Sequence, residues 1–117
     1  MNRYAGVDSD PVWVSTARSK VSNPRFRFYL GDVGETRKWG WPVNNQSVKM
    51  VYQYQLSALA AEPYPFDVYT IDGRWRAPCA YASFLHASTR GAPHNATTVL
   101  LHDCKMISSN TTTKDRK

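Results

Sequence analysis

Apolar and polar residues follow two different periods along this chain, and the switches between them mark out its elements. Tyr4-Ala5-Gly6-Val7-Asp8 is a short apolar run closed by an acid, which suits a strand. Ser9-Asp10-Pro11 then gives a helix start, with Asp10 placed to cap free amides and Pro11 at the first helical position. Val12, Trp13, Thr16 and Lys20 keep helical spacing, and Asn23-Pro24 sets the limit of that helix. Phe26, Phe28 and Leu30 alternate with Arg25, Arg27 and Tyr29, the period of a half-buried strand ending at Gly31-Asp32-Val33-Gly34-Glu35. The pattern dissolves from Thr36 to Lys49, where Trp39-Gly40-Trp41-Pro42 and Asn44-Asn45 are turn chemistry and both tryptophans are expected to pack on something.

Order returns as a weak helix over Val51–Ala61, closed by Glu62-Pro63. Phe66–Ile71 is rich in β-branched and aromatic residues and predicts a strand that stops at Asp72-Gly73. A helix is expected from Arg76 to His86, carrying Tyr81, Phe84 and Leu85, with Pro78 in its first turn. Thr97–Leu101 is nearly continuous in apolar character and predicts a strand covered on both faces. Alternation of strands with helices implies parallel pairing. The expected fold is α/β: a three-layer, Rossmann-like partial sheet of about four mostly parallel strands with helices on both faces. Residues 1–104 form its domain, and the polar run 105–117 is expected to be a disordered tail.

Composition adds bounds rather than identity. With 117 residues, 42% apolar and 21% charged, the chain suits one domain with a modest core. No apolar run approaches the ~18 residues of a membrane span, and Met1-Asn2-Arg3-Tyr4 has no secretory character, so a cytoplasmic protein with no membrane partner is expected. Cys79 and Cys104 lack metal-site spacing. The net charge of +6 is scattered over Arg18/Lys20, Arg25/Arg27, Arg37/Lys38 and Arg74/Arg76, and it predicts weak attraction to polyanions.

The chemistry collects at strand ends. Asp8, Asp32, Asp72 and Asp103 each close a strand or follow within two positions. In a parallel sheet those ends share one edge, where α/β proteins bind ligands. Capping and turn formation is the competing reading of each single acid.

These residues also carry a resemblance. Gly6-Val7-Asp8-Ser9-Asp10-Pro11-Val12-Trp13, the run Gly31–Pro42, Phe66-Asp67-Val68-Tyr69-Thr70-Ile71-Asp72-Gly73-Arg74-Trp75-Arg76 and Val99-Leu100-Leu101-His102-Asp103 come in an order that resembles the class I S-adenosylmethionine-dependent methyltransferases. The resemblance implies that Asp8 holds the ribose hydroxyls of S-adenosylmethionine, that Asp32 lies near its adenine, and that Asp72 faces the methyl-transfer side as the catalytic candidate. It further implies that Asp72, His102 and Asp103 could hold a divalent metal such as magnesium. Arg74, Trp75 and Arg76 become the candidate contacts to a methyl acceptor, which their charge suggests is anionic.

One part of the family pattern is missing. The opening strand and its glycine-rich turn, where only glycine lets backbone approach the cofactor closely, have no counterpart. The chain therefore reads as a fragment or truncated form of a methyltransferase-like domain, expected to bind cofactor weakly and to turn over poorly alone. The two strands flanking the missing one must pair directly, giving the spatial order second, first, third, fourth in chain order, or else leave a gap of unpaired backbone. A homodimer covering that opening is one remedy. The alternative function is a basic RNA-binding module without catalysis, on the interleaving of arginines and aromatics in Arg74-Trp75-Arg76 and Arg25–Tyr29. Cys79 reads as a small buried thiol, and Ser83 with His86 gives little support for nucleophilic catalysis.

Overall fold

The structure, a computed structural model, describes residues 2–43 and 48–103. The expected turn at Asn44-Asn45, Cys104 and the tail 105–117 lie outside the described residues. Elements run in the order β1 (Tyr4–Asp8), α1 (Pro11–Lys20), β2 (Phe26–Leu30), a single 3-10 turn at Lys38–Gly40, α2 (Val48–Ala61), β3 (Val68–Ile71), α3 (Arg76–Thr89) and β4 (Thr98–Leu101). No helix among the described residues is long and apolar enough to cross a membrane.

Local sequence accounts for the boundaries. Asp10 caps α1 as expected, its Oδ1 accepting from the Val12 amide at 2.9 Å and the Trp13 amide at 3.4 Å. The helix ends where Val21 leaves helical geometry, just before Asn23-Pro24. α2 begins three residues before its apolar pattern does, and α3 outlasts its own by one turn.

The strands are parallel, but they do not form one sheet. β1 pairs with β2 in the register Tyr4↔Phe26 to Asp8↔Leu30, and β3 pairs with β4 from Val68↔Thr98 to Ile71↔Leu101. These are two separate two-stranded sheets. No Cα of β1 comes within 8 Å of one in β3, where paired strands would sit about 4.8 Å apart. The single four-stranded sheet is thus corrected in favour of its stated alternative, a gap. A cavity of about 330 Å3 occupies that gap, walled by Val7 and Asp8 on one side, Thr70 and Ile71 on the other, and floored by Tyr54 and Ala58 of α2.

Among the described residues, helices cover both faces of β1–β2 but not of β3–β4. α1 and α2 both rest on this pair without touching each other, so they take opposite faces. The α1 face carries Tyr4 and Phe28, whose rings lie 5.9 Å apart, with Val14 of α1 buried near them. On the α2 face, Arg27 and Tyr29 of β2 reach Glu62, just past the end of α2. By contrast, among the described residues, α3 is the one helix that packs on β3–β4. β4 therefore departs from expectation: Leu100 and Leu101, on opposite faces of the strand, are 51% and 41% exposed, so among the described residues neither face is fully covered. Tyr81, Phe84 and Leu85 of α3 also face solvent, and the helix buries Ala82, Ser83, His86 and Ala87 instead.

Gly31 marks a close approach of β2's end to the backbone of α2. A Cβ there would stand 2.8 Å from the Tyr54 Cα and 3.1 Å from the Val7 side chain. Because the first obstacle is backbone, α2 itself would have to shift. Gly31→Ala is expected to destabilise the fold by about 2 kcal/mol through overpacking, read as a lower denaturant midpoint at unchanged slope.

Candidate functional site

The carboxyl ends of β1 and β3 open onto a cavity of about 520 Å3, within the range of small-molecule sites. Asp8 arrives from the end of β1, and Asp72 with Gly73 from the end of β3. Asp10 and Trp13 come from the start of α1, Arg37 and Trp39 from the loop after β2, Tyr54 from α2, and Arg74 and Trp75 from the turn into α3. Two clusters that looked unrelated in sequence, the Trp39 loop and the Asp72–Arg76 turn, thus border one hollow.

The acids are partly committed. The Asp10 amide donates to Asp8 Oδ1 at 2.8 Å, so the β1–α1 turn is closed by side chains without glycine. Asp72 Oδ1 accepts from His102 Nδ1 at 2.8 Å, and the same nitrogen lies 3.3 Å from Asp103 Oδ2. The ligand atoms of Asp72, His102 and Asp103 all fall within 4.8 Å of one another, and all three residues are exposed. Two carboxylates and an imidazole are a suitable mixed donor set for a divalent cation. Asp32 stands apart: it is exposed, its Oδ1 accepts from the Gly34 amide at 2.9 Å, and it is absent from the cavity lining.

The three candidate acceptor contacts divide. Trp75 lines the cavity, its ring edge-on to Tyr54 at 5.7 Å. Arg74 donates from Nε to the Trp39 carbonyl at 2.9 Å and lays its guanidinium over the Trp41 ring at 4.2 Å. Arg76 acts as a clamp, donating to the carbonyls of Gly73 and His102 and so tying the end of β4 to the start of α3. Other arginines serve backbone carbonyls in the same way: Arg3 at Tyr64 and Pro65, Arg18 at Phe28, Arg90 at Ala60. Much of the basic excess is thereby engaged in the fold.

Several features escape the sequence pattern. Tyr54 separates the strand-end cavity from the inter-sheet gap, and it borders both. Burial pushes its phenol up to about 12, with negative charge at Cys79, Asp8 and Asp72 adding to the effect, so it stays a neutral donor. Its hydroxyl also explains Gly73, where a Cβ would lie 2.2 Å from the Tyr54 Oη. Trp39 and Trp41 do not pack away as expected; they are 74% and 56% exposed. The loop Thr36–Val43 instead closes on itself through the Arg37 amide to the Trp41 carbonyl and the Val43 amide to the Glu35 carbonyl. Burial raises the Cys79 thiol, which suits a packed residue rather than a nucleophile. Ser83 donates to the Cys79 carbonyl, and His86 is held by Tyr69 and the Glu62 carbonyl, so neither activates the other.

Against this geometry the comparisons are informative. No protein-family model and no curated protein matches the sequence. Among solved structures, a methyltransferase-like protein from Silicibacter pomeroyi is similar over 68% of this chain, with 28% identity and a TM-score of 0.59. Over that stretch the fold is similar to that of this methyltransferase-like protein. The chain spans 45% of that protein's length, so the likeness concerns under half of it.

Proposed function

We propose that this chain is the nucleoside-binding part of an S-adenosylmethionine-dependent methyltransferase-like domain. The observation that carries the reading is the strand-end cavity, where Asp8 and Asp72 meet three tryptophans and Tyr54, in a fold similar to a methyltransferase-like protein. Asp8 has one carboxylate oxygen beyond its turn bond, and it accepts from ribose hydroxyls. The indoles and the phenol supply flat apolar surface for the base. Asp72 faces the reacting side and orients the acceptor. Asp32, outside the lining, has at most a peripheral part near the adenine. S-adenosylmethionine supplies an electrophilic methyl group; this chain's residues bind it and exclude water from it.

The residue set fits only part of such a cofactor. The β1–α1 turn, closed by Asp8 and Asp10 carboxylates, offers no free run of amides for a carboxylate. Weak binding and poor turnover by the isolated chain follow. A divalent cation such as magnesium would be held by Asp72, Asp103 and His102, and would polarise an acceptor oxygen. To ligate through Nδ1, His102 must give up the proton it now shares with Asp72.

The test is a titration of the chain with S-adenosylhomocysteine, followed by amide NMR with and without magnesium chloride. Shifts at Asp8, Trp13, Gly73 and Trp75 are expected, with affinity falling about tenfold in Asp8→Asn through loss of a charge-assisted bond. Dispersed spectra that ignore the ligand would refute the nucleoside site. Shifts confined to Arg18, Arg25 and neighbouring basic positions on adding single-stranded RNA would favour the RNA-binding alternative.

A further inference from the structure

Two non-glycine residues at the cavity rim hold left-handed backbone, and both are tryptophans. Trp39 has φ 65° and ψ 22°, and Trp75 has φ 53° and ψ 45°. This region is disfavoured for a bulky side chain, so holding one there strains the backbone. Packing explains Trp75, whose ring meets Tyr54. It does not explain Trp39, which is 74% exposed and gains no burial for its strain. The loop beneath it is braced from outside by the Arg74 bond to the Trp39 carbonyl. A strained, braced and solvent-facing indole at the mouth of a cavity is arranged for something that arrives from solution.

The charge beside it indicates what arrives. Arg37 shares the loop and lines the same cavity, and among the described residues its guanidinium makes no hydrogen bond or ion pair. It differs in this from Arg74 and Arg76, which are both engaged. The carboxylates of Asp8, Asp10 and Asp72 are each at least half committed to amides or to His102. The charge on the Trp39 side is thus cationic: the Arg37 guanidinium lines the cavity with the indole, and the Lys38 ammonium stands 5.5 Å from the Trp39 ring centre.

We propose that Trp39 and Arg37 form a subsite for a flat aromatic anion, an aryl carboxylate or phenolate, stacked on the indole with its charge on the guanidinium. Calling that molecule the methyl acceptor rests on the function proposed above; the subsite itself does not, and its test contains no cofactor. The three cavity carboxylates make the proposal stringent, because if they dominate the local field they will repel an anionic ring.

The experiment compares naphthalene-2-carboxylate with its neutral analogue, 2-naphthamide, by ligand-observed NMR against the whole chain. The carboxylate is expected to bind with a Kd on the order of 1 mM or tighter, and the amide more weakly. Arg37→Gln should remove that preference, weakening the carboxylate about fivefold and leaving the amide unchanged. Trp39→Gly should weaken both about tenfold, a typical loss for one stacking partner. Yet it should raise the melting temperature by roughly 4 °C, because glycine relaxes the left-handed backbone and little packing is lost. A residue held only for structure would move stability the other way. Equal binding of acid and amide, or an Arg37→Gln variant that keeps the preference, overturns the proposal. So does tighter, steeply salt-dependent binding of a ten-residue oligothymidylate, which assigns the face to nucleic acid. If S-adenosylhomocysteine fails to bind while the carboxylate binds as described, the subsite stands and only its role as acceptor site falls.

Discussion

Glu62→Ala is expected to remove about 3 kcal/mol of stability, the usual loss when one member of a buried charge network is deleted. That is a large part of what a domain of this size possesses, and the melting temperature should fall by roughly 15 °C. Glu62 has no exposed surface, and its partners come from β2, α3 and the start of the chain. Its carboxylate accepts from Arg27 Nε at 2.7 Å and from the Tyr29 hydroxyl at 2.8 Å, both on β2, with Arg3 Nε 3.9 Å away. Its carbonyl accepts from His86 Nε2 on α3 at 2.8 Å. Because a carbonyl only accepts, His86 carries its proton on Nε2, and Nδ1 accepts from the Tyr69 hydroxyl at 2.7 Å. Tyr69 in turn accepts from the Phe66 amide. One residue past the end of α2 therefore joins the β1–β2 unit to the β3–β4 unit, which share no strand pairing. Alanine keeps the carbonyl bond but leaves two guanidiniums facing each other with no anion between them. Thermal melts of the variant beside Glu62→Gln, which keeps the shape and loses the charge, separate the two contributions.

The same residue sets a pH window. Burial alone would raise the Glu62 carboxyl, but the hydrogen bonds from Arg27 and Tyr29 and the charges of Arg27 and Arg3 outweigh it and hold the group below its usual 4.5. A carboxyl depressed by folding contributes stability that is fully present above its unfolded value. That contribution is lost as the pH falls through the lower folded value. The gap in melting temperature between wild type and Glu62→Gln should accordingly be constant above about pH 5.5 and shrink below 4.5. A gap that widens on acidification would mean the carboxyl is raised, with burial the stronger influence.

What was legible in the sequence was local. Asp10-Pro11 announced the start of α1 and Asn23-Pro24 its limit, because a cap and a proline act on their immediate neighbours. Parallel pairing followed from the alternation of elements. Glu62 was not legible. Beside Pro63 it read as a helix terminator, since its partner Arg27 is 35 residues away and sits at the polar position of an alternating strand. That alternation assumed one wet face for β2, whereas the pair β1–β2 is covered on both. Leu30 and Phe26 remain 39% and 44% exposed, and Arg27, its own side chain 42% exposed, still reaches the fully buried Glu62. The cavity was half legible. Asp8 and Asp72 were placed there by the rule that strand ends share an edge, and both line it. Asp32 obeys the same rule in sequence and misses the cavity, because its carboxylate turns back on the Gly34 amide. Trp39 and Arg37 had no periodic signal at all, since a loop closed by its own backbone bonds leaves none.

Amide exchange should divide β1 and β3 residue by residue. The ladder bonds of β1 run from the Tyr4 amide to Arg25 and from the Gly31 amide to the Asp8 carbonyl. In a parallel pair such bonds fall on alternate residues, so Gly6 and Asp8 turn their amides to β2 while Ala5 and Val7 turn theirs to the gap. On the other side the Thr98 amide bonds the Asp67 carbonyl and the His102 amide that of Ile71. Tyr69 and Ile71 therefore face β4, and Val68 and Thr70 face the gap. The gap-facing amides, which have no partner strand among the described residues, should exchange on the order of 100-fold faster than their immediate neighbours. Hydrogen exchange followed by NMR on dilute protein reads this directly. Equal protection within each strand would mean the gap is closed and the two pairs behave as one sheet. Protection of Ala5, Val7, Val68 and Thr70 that grows with protein concentration would instead mean a second copy fills it, because paired strands satisfy the backbone groups that an open edge leaves bare. The outcome decides whether the two halves of the strand-end cavity hold a fixed spacing, on which any ligand spanning Asp8 and Asp72 depends.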